Sequence, residues 1–183
     1  MEALRYIYMQ QVYEQFQKLL PAKTDVECVL QISGMSEEKR EAFLGQFEME
    51  QDHTRIGFCV LGGIFSEGID LKEDRLIGAV VVGTGLPMIC REREILRDYF
   101  DKRSGNGFEF AYLYPGMNKV QQAAGRVIRT EKDRGIIALL DDRFLNGSCQ
   151  SAFPAEWQTY EVCTCDSVSD AVHRFWEKQD VLN

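Results

Sequence analysis

Four short apolar runs constrain the fold of this chain more than any other feature: Glu27 to Ile32, Ile56 to Leu61, Leu76 to Val82 and Gly135 to Leu140. Ile56 to Leu61 is a short continuous run typical of a strand covered on both faces. Leu76 to Val82 and Gly135 to Leu140 read as further buried strands, and Glu27 to Ile32, interrupted by Gln31, reads as a strand closed by Ser33-Gly34. Helical patterns separate them. Tyr8 to Leu20 sets Met9, Val12, Phe16 and Leu19 on one face, with Pro21 after its end. Ser36 is placed as an N-cap, with Glu37 and Glu38 in the first turn, for a helix that runs to about Phe47 and buries Phe43 and Phe47. Arg91 to Lys102 is a mixed-charge helix with Ile95 and Tyr99, and Leu96 beside them, facing inward. A last helix runs from about Ser167 to Lys178, docked by Val172 and by Phe175 or Trp176. Phe108 to Tyr114 fits a strand or a helix, and Pro115-Gly116 is expected to break the chain before the next helix. Helices alternating with buried strands predict an α/β fold: a mostly parallel sheet with helices on both faces, in a single domain over 1–183. Function is then expected on the loops at the sheet's carboxyl edge.

The most informative helix is predicted over Val120 to Arg129. Val120, Ala123, Ala124, Val127 and Ile128 follow the spacing of a buried stripe, and Gln122, Arg126 and Arg129 stack on the opposite side. Gly125 borders that polar side, where a missing side chain lets another surface approach. Two arginines one turn apart repel, so the pair makes most sense around an anion, and phosphate suits the guanidinium fork best. The plain alternative is a solvated helix face.

Composition excludes several classes. The net charge of −8 argues against a nucleic-acid binder driven by bulk charge, although Met117 to Gly135 carries five basic and two acidic residues. No apolar run reaches the length of a membrane span, and the N-terminus lacks the pattern of a signal peptide. The six cysteines are scattered, and Cys163-Thr164-Cys165 has the wrong spacing for a zinc or redox pair. No metal site is expected, and a reduced, cytoplasmic protein is.

Two segments resemble known motifs. Gly62-Gly63-Ile64-Phe65-Ser66-Glu67-Gly68-Ile69-Asp70-Leu71 is similar to motif V of superfamily-two helicases. Gln121-Gln122-Ala123-Ala124-Gly125-Arg126-Val127-Ile128-Arg129, continuing through Thr130 to Gly135, is similar to motif VI. Their forms look like those of the DinG-like and XPD-like group, and the resemblance spans nearly the whole chain as the second RecA-like motor domain. The sequence has no Gly-Lys dipeptide, hence no phosphate-binding G-x-x-x-x-G-K-[ST] loop, and no Asp-Glu-x-His. A fragment of a longer protein is therefore expected, one that starts after an apolar strand.

The resemblance implies an ATP-dependent DNA helicase, of repair type, whose ATP and Mg2+ are held mainly by the missing first motor domain. Arg126 and Arg129 would act as arginine fingers, and Gln122 would position water. Glu67, Gly68, Asp70 and Gly125 would lie around the nucleotide, and Gly63 and Ser66 would touch single-stranded or forked DNA. An iron–sulfur cluster would belong to the missing part. The expected partners are DNA and the missing domain, with no membrane and no second copy. The fragment alone should be inactive. Structural alternatives stand beside these roles: Asp70 as a helix cap, Glu67 as an ion-pair partner, Gly63 as a turn residue, and Trp157 and Trp176 as packing residues. A nuclease-coupled translocase and a non-catalytic RecA-like nucleotide- or anion-binding module are the other readings.

Overall fold

Strands form where the apolar runs lie. A computed structural model describes residues 2–22, 24–48, 52–63, 76–128, 130 and 133–180. Strand β1 (Val26–Leu30) pairs in parallel with β2 (Thr54–Phe58), Val26 opposite Thr54. Strand β3 (Gly78–Val82) pairs in parallel with β4 (Ile136–Leu140), Gly78 opposite Ile136. Parallel neighbours need a crossover rather than a tight turn. Helix α1 (Glu2–Leu19) precedes β1, and α2 (Glu37–Gly45) joins β1 to β2. Helices α3 (Arg91–Ser104) and α4 (Tyr114–Ala124) fall between β3 and β4. Short α5 (Gly147–Gln150) and the terminal α6 (Val168–Asp180) follow.

The expected cap is present: Ser36 Oγ accepts the Lys39 N–H at 3.5 Å. Phe43 is buried, and Phe47 packs beside it with ring centroids 5.7 Å apart. Val81, Leu113, Met117, Val120, Phe144 and Cys149 form the central core, with Leu61, Leu139 and Trp157 packed against it. Trp157 thus takes the packing role, and Trp176 stands edge-on to Phe175.

Pro115 and Gly116 do not break the chain. Residues 107–124 form one helical run, π-helical over Glu109–Leu113, in which the Tyr114 N–H reaches back to the Glu109 carbonyl. Proline has no N–H for the carbonyl four residues earlier. That carbonyl, on Ala111, instead accepts from Arg93 Nη1 of α3 at 2.6 Å. A cation from the neighbouring helix thus satisfies the group that the proline leaves open.

Gly116 and Gly85 let backbones meet. A Cβ at Gly116 would lie 2.9 Å from the Thr84 carbonyl and 3.1 Å from Leu86 Cα. Gly85 has φ +64°, and a Cβ there would lie 2.8 Å from Leu61 Cδ2 and 3.0 Å from the Gly116 carbonyl. The start of α4 is thereby pressed onto the loop after β3 and onto Leu61 beyond β2.

Several inward faces differ from expectation. Leu19 is 82% exposed, because the buried contact of α1 is centred on Met9. Ile95 and Tyr99 of α3 are exposed as well, and that helix is held by the Arg93 bond and by Tyr112 Oη donating to Glu94 Oε1 at 2.6 Å. In β3, Val81 is buried towards α4, while Val80 on the other face is 65% exposed. Continuous apolarity therefore marked the strand without marking two covered faces. Cys28 and Cys59 are half-buried, whereas Cys149 lies in the core.

The amino-terminal edge of the β1–β2 pair carries a charged cluster. His53 Nε2 lies 3.0 Å from Glu27 Oε2, His53 Nδ1 lies 3.2 Å from Asp52 Oδ1, and Arg55 Nη2 lies 2.5 Å from Glu27 Oε2. Hydrogen bonds that the imidazole donates to Glu27 and then to Asp52 hold His53 above its ordinary 6.5. Hydrogen bonds from His53 and then Arg55 hold Glu27 below 4.5.

Two expectations follow from this packing. Gly85→Ala should lower the unfolding free energy by about 2 kcal/mol or more, since it adds left-handed strain to a clash with backbone; a urea midpoint equal to the parent's would contradict the close approach. The raised imidazole contributes stability fully below pH 6.5 and loses it as pH rises through the raised value. The lowered Glu27 contributes above 4.5 and loses it as pH falls. The melting-temperature gap between the parent and His53→Gln should therefore be wider near about pH 5.5 than near about pH 8.5. Equal gaps at both would count against the cluster.

Candidate functional site

The chain leaves β2 through a turn held by one buried amide. Gln31, just past β1, is 4% exposed. Its N–H extends the ladder to the Phe58 carbonyl at 2.9 Å. Its Oε1 accepts the Val60 N–H at 2.8 Å, and its Nε2 donates to Tyr6 Oη of α1 at 2.9 Å. The Gly63 N–H then closes on the Val60 carbonyl at 3.0 Å. A Cβ at Gly63 would lie 2.9 Å from Gln31 Nε2 and 3.0 Å from that carbonyl. The amide of Gln31 thus fixes where the Gly62–Gly63 loop departs, and the space at Gly63 is needed for it.

Helix α4 packs beside this loop. Met117, Val120 and Ala124 are fully buried against the core. Lys119 and Gln122, one turn apart, lie on the other side. Lys119 reaches the loop: a Cβ at Gly62 would lie 3.4 Å from Lys119 Cδ and 3.9 Å from its Nζ. Gln121 pins the helix end by donating to the Ala152 carbonyl at 2.6 Å.

The helix stops earlier than its periodicity predicts. It ends at Ala124, and residues 125–127 continue as a tightened turn, with Arg126 N–H to Ala123 at 3.3 Å and Val127 N–H to Ala124 at 3.0 Å. Val127 still points inward, packed against Gly135 at the entry to β4, but Ile128 is 48% exposed. Contacts to the three-back carbonyls replace those to the four-back ones, so the stripe is lost after Val127. Gly125 and Gln122 are exposed, and Arg126 is half-buried just past the last helical turn.

Four site residues expected from the sequence are therefore placed: Gly63 in the β2 loop, Gln122 on α4, and Gly125 and Arg126 in the turn beyond it. Ser66, Glu67, Gly68, Asp70 and Arg129 lie outside the described residues. The loop and the helix are brought together through Gly62 and Lys119.

Three further residues matter that the sequence reading did not single out. Gln31 is one; a glutamine at a strand end carries no signal of its burial. Lys119 is the second. Burial first, and then the charges of Arg5 and Arg93, hold its ammonium below the ordinary lysine range. Thr84 is the third: it is 2% exposed, and its hydroxyl has no protein partner among the described residues. At the end of β4, by contrast, Arg143 is neutralised by a two-pronged pair with Asp141, Nε to Oδ1 at 2.8 Å and Nη2 to Oδ2 at 2.7 Å. That arginine is committed within the fold.

Comparison with known proteins shows the family. A family profile described as the helicase C-terminal domain matches residues 5–160. The chain belongs to that family, in the DinG- and XPD-like group of superfamily-two helicases, and its parallel strand pairs and helices are those of a RecA-like α/β domain. It is 32% identical over 107 residues to a probable ATP-dependent helicase of Methanocaldococcus jannaschii, covering 53% of this chain and 16% of that protein. It is 36% identical over 86 residues to the ATP-dependent DNA helicase DinG of Photobacterium profundum, covering 46% and 12% respectively. It is 29% identical over 144 residues to the regulator of telomere elongation helicase 1 of Bos taurus, covering 74% and 12%. The chain thus spans less than a fifth of the length of each of these three relatives. No helix among the described residues is long and apolar enough to cross a membrane.

Replacing the latch should loosen the site from its base. Gln31→Leu leaves the buried Val60 N–H without its acceptor, so a loss of about 1–3 kcal/mol in unfolding free energy is expected. An unchanged denaturation curve would show that the amide does not hold the loop.

Proposed function

We propose that this chain is the second motor domain of an ATP-dependent DNA helicase, and that it acts by presenting arginines to ATP held mainly by a first motor domain. The observation that carries the reading is the packing of α4 beside the Gly62–Gly63 loop, with Lys119 against Gly62 and Arg126 just past the helix end. Two segments far apart in sequence, each resembling a helicase motif, are neighbours in space. The names of the relatives, all ATP-dependent or telomere-linked helicases, support it.

In this reading Arg126 and Arg129 stabilise the charge that spreads over the terminal phosphate during transfer. Such a finger is worth about 10³–10⁵ in rate, because phosphoryl transfer depends mainly on positioning and charge. Gln122, exposed on α4 four residues before Arg126, orients the attacking water. Gly125 leaves room for the nucleotide, and Glu67, Gly68 and Asp70 line its neighbourhood. Gly63 and Ser66 offer a backbone N–H and a hydroxyl to the phosphates of single-stranded or forked DNA. Magnesium is assigned to the first domain. Among the described residues no group of three or more His, Cys, Asp or Glu is placed to hold a metal ion. Closure of the two domains on ATP and reopening after hydrolysis would couple the chemistry to movement along the strand. The protein acts as a monomer.

The test is DNA-stimulated ATP hydrolysis. In the full-length protein Arg126→Ala or Arg129→Ala should lower kcat by about 10³-fold or more while leaving the melting temperature near the parent's. The 183-residue chain alone should show no turnover above background. Near-normal rates in the arginine variants, or robust hydrolysis by the isolated chain, would overturn the reading.

A further inference from the structure

The helix that leads to Arg126 stops without a local reason. Val120 to Ile128 keeps helical spacing, and no proline lies between Ala124 and Ile128. Gly125 has φ −65° and ψ −2°, not the left-handed geometry that ends many helices. Two ties to distant parts of the chain flank the stop instead. Before it, Gln121 Nε2 donates to the Ala152 carbonyl at 2.6 Å. After it, Val127 packs on Gly135. Gly135 precedes β4 and Ala152 follows it, so the turn carrying Arg126 is strung between two points on either side of one strand.

Gln121 serves that turn twice. Its carbonyl accepts the Gly125 N–H at 2.8 Å, the bond that closes the last helical turn, and its side chain is held by Ala152. Ala152 is itself fixed. Its N–H donates to the Cys149 carbonyl at 3.1 Å, and the next residue, Phe153, stands edge-on to Trp157 with ring centroids 5.5 Å apart. Cys149, Ala152, Phe153 and Trp157 belong to the same core as Met117 and Val120. We propose that Gln121 is a positioning residue for phosphoryl transfer: through the Ala152 carbonyl it sets where the helix ends, and so where Arg126 is presented. The inference rests on the reading of Arg126 as an arginine finger and adds the residue that aims it. Helix ends open locally at little cost when their last bonds are not held elsewhere. A guanidinium beyond such an end loses its alignment with the phosphate, and a misplacement of about 1 Å can cost about 10²-fold in rate. Aim matters while the phosphate is being transferred, so kcat carries the loss and KM does not.

The experiment measures DNA-stimulated ATP hydrolysis by the full-length protein for the parent, Gln121→Met, Arg126→Ala and the double variant. Methionine keeps the length and helical preference of glutamine and removes the donor. Gln121→Met should lower kcat by about 10-fold or more and leave KM for ATP near the parent's. In the Arg126→Ala background, read as single-turnover rates, it should cost nothing further, because the residue acts only through that arginine. Phe47→Leu is the control for stability alone: Phe47 packs beside Phe43 and against Gly57 of β2, away from α4. It should lower the melting temperature and keep kcat near the parent's. An equal fall of kcat in Phe47→Leu would show that lost stability explains both variants, and would overturn the proposal. So would the same fold-loss from Gln121→Met with and without Arg126. Parent-like kcat in Gln121→Met beside a crippled Arg126→Ala would overturn the positioning role and leave the arginine's role standing. Near-normal kcat in Arg126→Ala would sink the arginine reading and this inference with it.

Discussion

The structure depends on a backbone-to-backbone contact. Gly116 in the first turns of α4 sits against Thr84 and Leu86, and Gly85 sits against Leu61 and Gly116. At Gly116 the approach is to backbone, and at Gly85 the Leu61 side chain and the Gly116 carbonyl close in together, so α4, the loop after β3 and the segment after β2 meet at one place. Met117 and Val120 are then driven completely into the core, with 1% and 0% exposure. Apolar burial of this kind is non-directional. The glycine contacts supply the direction: they fix which side of α4 faces inward and hence which side carries Lys119 and Gln122.

From that seat the remaining features follow in order. The π-helical step and Pro115 sit just before α4, where a carbonyl must find a donor outside its own helix. Arg93 provides it and ties α3 to the same unit. At the far end, Gln121 holds Ala152 and Val127 packs on Gly135, so the turn that carries Arg126 is anchored on both sides. On the β1–β2 side, Gln31 joins α1, the strand end and the loop through a single amide. A residue intended to meet a phosphate gains from being held this way, because the cost of ordering it is met during folding.

Much of this was legible in the sequence. The strands announce themselves because apolar runs of this length, three of them ended by glycine and the last by Asp141-Asp142, have few other uses. The cap at Ser36 follows from local chemistry alone. The adjacency of the two motif-bearing segments was legible through their resemblance to helicase motifs. What escaped has a common cause: it depends on partners distant in the chain. Pro115-Gly116 carries every local mark of a break, and only Arg93, on another helix, makes continuation tolerable. The stripe from Val120 to Ile128 reads as helix throughout, yet the chain tightens after Ala124, leaving Ile128 outside. Lys119 reads as one surface lysine among several until its side chain is seen against Gly62.

The central claim is that Arg126 meets the phosphate as it is transferred rather than the nucleotide at rest. The most direct measurement compares the affinity of the full-length protein for magnesium ADP with and without aluminium fluoride, which mimics the phosphoryl group in flight, in the parent and in Arg126→Lys. The account predicts that fluoride tightens binding strongly in the parent and far less in the lysine variant, which keeps the charge but loses the fork, while ADP alone binds both equally. Equal tightening in the two proteins would contradict it.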